Sequence, residues 1–493
     1  MPLIHLHILL KWATVWFLFC CSLLSIRAQD SLSLAQVIEL ARIHSLPAYR
    51  AEVDVRQAEW AYKSYRASLK PQLRLSGNIP NFTNSFSETI QPDGTIQFNR
   101  ITYNNSYLSL QARQDIPATG TSIFVQSDLQ RYDDFQTKFL SYNGVPVRIG
   151  ILQPLSLYNP LKWAKRLAPL RLEEAEKQFV TDVEAISIEV LPFFFDLLLA
   201  QIDAQIAQVN QNSNQSLFQI AEERFELGKI SENDLLQLQL ELLQSEKGVR
   251  DAQKSVLAAQ TALGSFLGKP ELIPQLAIQS PGIQNLPPIQ EQAAVKTAFQ
   301  NRPESLSYQR RQLEAQQAVA EVKGQYGWRA DLYASFGFAR GSEVLNDIYL
   351  SPQSEQGVFM QVSIPLLDWG RGKAERRQAE LDLAFVNRSV QQEQQAFEAS
   401  VRQWVVHCNQ MQDIMRLAKE TQDIAQKRFD ISKDRYLLGD ISITELTLSL
   451  QAKDRARRSY MFALREYWQA WHQLRLLTLY DFEQDNNIHY DFN

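Results

Sequence analysis

Two stretches of this chain repeat each other. Arg224-Phe225-Glu226-Leu227-Gly228-Lys229-Ile230-Ser231, then Asp234-Leu235, returns as Arg435-Tyr436-Leu437-Leu438-Gly439-Asp440-Ile441-Ser442, then Glu445-Leu446. Each copy joins two long segments of helical pattern, so the chain is built twice over. Ahead of the second copy, Lys373 to Leu438 contains neither Gly nor Pro. An uninterrupted helix of that length lies far above the average for a globular domain.

The 493 residues allow two or three ordinary domains. Net charge is −5, and Lys and Arg are spread along the chain, so no basic block points to nucleic acid. The start reads as a secretory leader over residues 1–28: Lys11, an apolar core from Trp12 to Leu24, and Ile26-Arg27-Ala28 before a mature start near Gln29. Cys20 and Cys21 lie inside it in a poor lipid-attachment context. Cys408 is then alone in the mature chain, which excludes an internal disulfide and reads as a buried helix residue. Beyond the leader no run of 18 apolar residues occurs. Val190 to Ala200 comes closest, interrupted by Pro192 and Asp196. A membrane-spanning part must therefore be a β-barrel.

Leu32–Ser45 and Pro47–Leu69 read as helices. Alternation follows at Leu73, Leu75, Gly77 and Ile79, then at Tyr103–Asp115, Thr121–Leu129 and Pro146–Gln153, giving four strands. Gln91-Pro92-Asp93-Gly94 and Asn143-Gly144 read as turns. Leu161–Leu227 is helical, with Pro169 and Pro192 bending it or marking its start. Ser231 and Asp234 form a capping box for the next helix. Its apolar positions, Leu235, Leu238, Leu242, Val249, Ala252, Val256, Ala259 and Leu263, make a coiled-coil seam interrupted by Ser245. After a Pro-rich connector from Lys269 to Pro288 the plan repeats. Helices are expected at Ile289–Asn301 and Pro303–Tyr326, strands at Asp331–Arg340 and Gly357–Ile364, then the two long helices. The implied segments are 29–270 as first repeat, 271–288 as connector, 289–480 as second repeat and 481–493 as tail.

Leu161–Leu227 and Trp369–Leu438 would each be about 100 Å long. In each half two shorter helices, stacked end to end, nearly match the long one, with strands at one end of the bundle and the Gly228 and Gly439 tips at the other. Four to six strands cannot close a transmembrane barrel, for which about eight is the least observed. Cyclic assembly of several copies meets that demand, and three copies of four strands give twelve.

In the doubled tips, the turn Pro365-Leu366-Leu367-Asp368-Trp369-Gly370-Arg371 and the leader before two matching halves, the chain resembles the TolC-like outer-membrane efflux protein family. The resemblance covers nearly the whole mature chain. It implies a mixed, mainly α fold with two structural repeats. A homotrimer shares one transmembrane β-barrel in outer-membrane lipid, continued by a long periplasmic α-helical barrel. It implies no cofactor and no catalysis, a periplasmic adaptor (membrane fusion) protein as partner, and an inner-membrane pump or ABC transporter as energy source.

The resemblance also places Arg224, Leu227, Gly228, Ile230, Arg435, Leu438, Gly439 and Ile441 at the adaptor-facing end. Tyr436 matches a gate tyrosine and Asp234 a gate aspartate. Ile441 stands where a basic partner can occur, so that ion pair is absent or replaced. Glu445 fills the first of two acidic pore-narrowing positions, and Leu448 stands at the second. Three copies of Glu445 would form an anionic ring; equally, Glu445 is an ordinary first-turn helix acid. The extra strand pair, roughly Tyr103–Leu129, is either a long extracellular hairpin or added barrel strands. Aromatics near the strands suit interfacial girdles or buried strand positions alike.

The mature histidines, His44, His407, His472 and His489, are scattered without ligand spacing, so no metal site is expected. Gly370-Arg371-Gly372-Lys373 faintly resembles a phosphate loop, and a strand-to-helix turn explains it. A pore-less periplasmic coiled-coil scaffold is the rival reading, but it gives the strands no role. A secreted enzyme on a helical stalk would need a catalytic cluster, and none is found.

Overall fold

The computed structural model describes residues 31–270, 277–282 and 288–491. The expected leader, its cleavage site and most of the connector lie outside them. In chain order the elements are α1 (Leu34–His44), α2 (Leu46–Ser68), β1 (Gln72–Asn78), β2 (Phe82–Ile90), β3 (Ile96–Ile116), β4 (Thr121–Asp134), β5 (Phe139–Ser156), α3 (Pro160–Glu226) and α4 (Glu232–Phe266). The second half supplies α5 (Glu291–Asn301), α6 (Glu304–Gln325), β6 (Arg329–Ser342), α7 (Asp347–Leu350), β7 (Gln353–Ser363), α8 (Arg371–Leu438) and α9 (Ile443–Thr478), then β8 (Tyr480–Asp481) and β9 (Asn486–Asn487).

Two compact units emerge, and each draws on both halves of the sequence. The first comprises the described residues up to Glu52, Val180–Asn301 and Val401 onward. Its core is helical. Val190, Leu191, Phe194, Phe195 and Leu197 of α3 are fully buried, as are Leu263 of α4, Ala294 and Ala298 of α5, Val401 and Val405 of α8, and Leu464 and Tyr467 of α9. By composition and length α3 could cross a membrane, but more than half of its apolar window is buried inside the protein. Cys408 is buried here, and burial pushes its thiol up to about 11. No member of the predicted α4 seam is fully exposed, and Leu238, Leu242 and Leu263 are buried.

The second unit, Val53–Phe179 and Arg302–Ser400, holds a seven-stranded antiparallel sheet. Its order is β1-β3-β4-β5-β6-β7, and β2 also pairs with β3. The helices of this unit are tied by ion pairs: Arg310 to Glu174 at 2.6 Å, Arg171 to Glu314 at 2.7 Å and Arg311 to Glu393 at 2.5 Å.

Three expectations need correction. The first half has five strands, because Phe82–Ile90 is also β-structure, hairpinned to β3 through the Gln91–Gly94 turn. Asn143-Gly144 is not a turn but lies within β5. A Cβ on Gly144 would lie 2.5 Å from Ile348 of α7, so the glycine permits close packing. Finally, α3 starts at Pro160 and runs through Pro169 and Pro192, so neither of these prolines marks its start. Asn159 precedes it, accepting from the N–H groups of Leu161 and Lys162, and Pro160 takes the first helical position, where no N–H is needed.

Candidate functional site

The sheet has two chemically opposite faces. On one, Leu75 stands opposite Leu110, and Val125 opposite Ile149, which in turn faces Phe336. All five are exposed, as is Val358 on β7. Period-two alternation turns polar side chains the other way. There Ser109 donates to Asp128 at 2.6 Å, Gln111 to Gln126 at 3.2 Å, and Gln126 to Asp128 at 2.8 Å. Arg148 lies 3.7 Å from Asp128 and donates to Glu355 at 2.8 Å. Register places Gly337 between Arg148 and Glu355. A Cβ on Gly337 would come within 2.9 Å of the Arg148 Cβ, so this glycine lets the arginine cross β6. Phe124, Tyr333 and Phe359 stack on the same face. A sheet with an exposed apolar face and a hydrogen-bonded polar face suits a wall between lipid and water.

The two tips are one backbone device made twice. Gly228 takes φ +65° and donates to the Phe225 carbonyl, while Lys229 donates to that of Arg224, both at 2.8 Å. Gly439 takes φ +86°, with the matching bonds Gly439 to Tyr436 and Asp440 to Arg435, both at 3.0 Å. This is the Schellman helix stop, and glycine tolerates its left-handed residue. A new helix starts at once. The hydroxyl of Ser231 accepts from the Asp234 N–H, and that of Ser442 from the Glu445 N–H, both at 3.2 Å. The side chains then diverge. The Asp234 carboxylate accepts from the Ser231 N–H and hydroxyl, whereas Glu445 is exposed. Arg224 sets its guanidinium 5.9 Å from the Tyr436 ring centre and donates to the Leu437 carbonyl at 3.4 Å. Arg435 is exposed. Leu227 and Leu438 are 68% and 79% exposed, while Ile230 and Ile441 are half-buried.

Between β7 and α8 the chain turns at Pro365–Gly370. Trp369 and Gly370 both take positive φ, +55° and +88°. The Asp368 carboxylate accepts from the N–H groups of Gly372 at 2.8 Å and Gly370 at 2.9 Å, and these bonds hold it below the usual carboxylate range. The amides that would cradle a phosphate are thus already taken. Arg371 pairs with Glu375 at 2.9 Å and lies against Tyr326. Leu366 and Trp369 are almost wholly exposed, and Leu367 is largely so.

A family model described as "Outer membrane efflux protein" matches residues 37–269 and 294–478. The chain belongs to the outer membrane efflux protein family. Alkaline protease secretion protein AprF of Pseudomonas aeruginosa is 27% identical over 242 residues, covering 48% of this chain. The match spans about half of that relative, 49% of its length. The fold is shared with the CmeC outer membrane channel of Campylobacter jejuni at TM-score 0.65 and 14% identity, over 93% of this chain and 87% of that one. The outer membrane protein VceC of Vibrio cholerae gives TM-score 0.64 and 14% identity, over 92% and 97%. As an outer membrane efflux protein the chain is non-enzymatic and resides in the outer membrane of a Gram-negative bacterium.

One buried site of this efflux protein escaped the sequence. Glu184 of α3 is fully buried and accepts from Arg42 at 2.7 Å, Arg475 at 3.0 Å and Tyr490 at 2.6 Å. Burial alone would raise its carboxyl. His472, Arg475 and Arg42 more than reverse this and hold it at about 2. Burial lowers His472, which stays neutral near pH 7. Arg475 also pairs with Asp481, and a small β8–β9 hairpin precedes Tyr490. The partners lie far apart in sequence, so only the recurrence of charge inside apolar helical stretches hinted at them. Among the described residues no group of three or more His, Cys, Asp or Glu could hold a metal ion.

Proposed function

We propose that this protein is the outer-membrane exit duct of a tripartite efflux or type I secretion assembly. Three copies share one barrel, a periplasmic adaptor docks on the tips, and an inner-membrane pump or ABC transporter supplies the energy. The observation that carries this reading is the two-faced sheet with free edges at β1 and β7. Its strands are too few to close alone, and its exposed apolar face suits lipid. The exposed leucines of the tips, Leu227 and Leu438, suit a docking surface. Similarity to a protein named for alkaline protease secretion favours secretion as one branch of the reading.

In this assembly Arg224, Gly228, Ile230, Arg435, Gly439 and Ile441 shape the tip surface. Tyr436 and Asp234 border the entrance, and Glu445 lines it as an anionic ring. The decisive experiment is native mass and projection imaging of the protein extracted from outer membranes in detergent. A trimer with a stalk about 100 Å long is the expected particle. A soluble monomer or dimer without a membrane end would overturn the reading and favour a pore-less scaffold.

A further inference from the structure

The first half contributes more sheet than the second, and the pairing shows how the surplus is built in. β1 pairs with Tyr107–Arg113 of β3, and β2 with Ile96–Asn104 of the same strand. The two therefore lie in succession along one edge, and seven strands fill six positions. The β3–β4 pair is continuous with the rest, joined to β5 along almost the whole of β4.

The pair also keeps the chemistry of its neighbours. Leu110 and Val125 lie on the exposed apolar face with Leu75 and Ile149. Gln111 and Gln126 lie on the polar face, bonded to each other and through Asp128 to Arg148. A hairpin standing free in water has no reason to hold one apolar face in line with a lipid-facing wall and one polar face in line with its lumen.

We infer that the β3–β4 hairpin is transmembrane wall, so that each copy contributes six strand positions and the trimer closes on eighteen strands. This rests on the trimer proposed above. Neighbouring strands alternate in direction, and six is even. The free edge of β7 in one copy therefore runs antiparallel to the β1–β2 edge of the next, and a head-to-tail ring closes without a parallel pair. At a strand spacing of about 4.8 Å and a tilt of about 40°, eighteen strands give a backbone diameter of about 36 Å, against about 24 Å for twelve. Barrels of that size leave an aqueous channel. Here the polar lining would include Gln111, Gln126, Asp128, Arg148 and Glu355.

The test is single-cysteine labelling in intact cells. Cys408 is buried, and the unmodified protein serves as background. Leu110→Cys and Val125→Cys should resist a membrane-impermeant maleimide and react with a lipid-soluble one. Gln111→Cys and Gln126→Cys should react with the impermeant reagent from the lumen. Two positions per face guard against a variant that fails to fold. If the impermeant reagent labels all four, the hairpin lies outside the bilayer and the inference is overturned. Native mass of the same variants reads copy number separately. Three copies with the two-faced pattern means eighteen strands. Another copy number with that pattern sinks the trimer and the eighteen, yet leaves six positions per copy.

Discussion

Two carboxylates mark the extremes of this molecule. Glu184 is buried, bonded to two arginines and a tyrosine, and clamps α1, α3, α9 and the tail together. Glu445 opens a helix at the second tip and stands exposed. The contrast separates charge that holds the fold from charge that stands at the surface. Asp234 lies between them: it is on the surface, but its oxygens are engaged in capping α4.

The sharpest break is at the buried end. Glu184→Gln should destabilise the protein by about 3–5 kcal/mol, because Arg42 and Arg475 lose their counter-charge inside the core. A thermal midpoint within error of the parent would refute the clamp. Acid should act in the same direction. The Glu184 carboxyl is held at about 2 against an ordinary 4.5, so its stabilisation is complete above 4.5 and drains away as pH falls toward 2. His472, kept neutral by burial, adds to that loss as it is forced to protonate. Replacing Glu184 should flatten the acid limb of a stability–pH curve.

A smaller effect belongs to the turn. Gly439→Val and Gly228→Val each force a side chain into a left-handed conformation and should cost about 1–2 kcal/mol. Equal losses in protease-resistance assays would support the identity of the two devices, and a harmless change at either would break it. Ser231→Ala should cost about 1 kcal/mol, and more than Ser442→Ala, since only the first cap is reciprocated by its acid. The smallest structural effect is expected from Glu445→Gln. Stability should not move, while cation preference in planar bilayers should fall. An unchanged reversal potential would return Glu445 to the role of a plain helix-start acid.

Helices were legible because their signals are local. The coiled-coil seam, the Ser231–Asp234 box and the glycine stops all lie within a few residues of the bonds they make. Most strands were legible by alternation. β2 was not, because Phe82, Asn84, Phe86, Glu88 and Ile90 mix apolar and polar residues on one face. Asn143-Gly144 misled because glycine there serves packing against Ile348 rather than reversal. The Glu184 cluster was illegible because Arg42 and Arg475 reach it from 142 and 291 residues away. The start of α3 was legible to within one residue, Leu161 expected against Pro160 found.

The turn at Asp368 has a consequence for phase. A strand presents its faces every two residues and a helix every 3.6, so the joint between them must set one rhythm against the other. Asp368 does so by fixing the Gly370 and Gly372 amides. One residue inserted there would leave β7 undisturbed, yet turn the start of α8 by about 100°. The contacts that Arg371–Ser400 of α8 makes within the second unit would then point the wrong way. Fidelity of the whole helical column begins with one carboxylate keeping time.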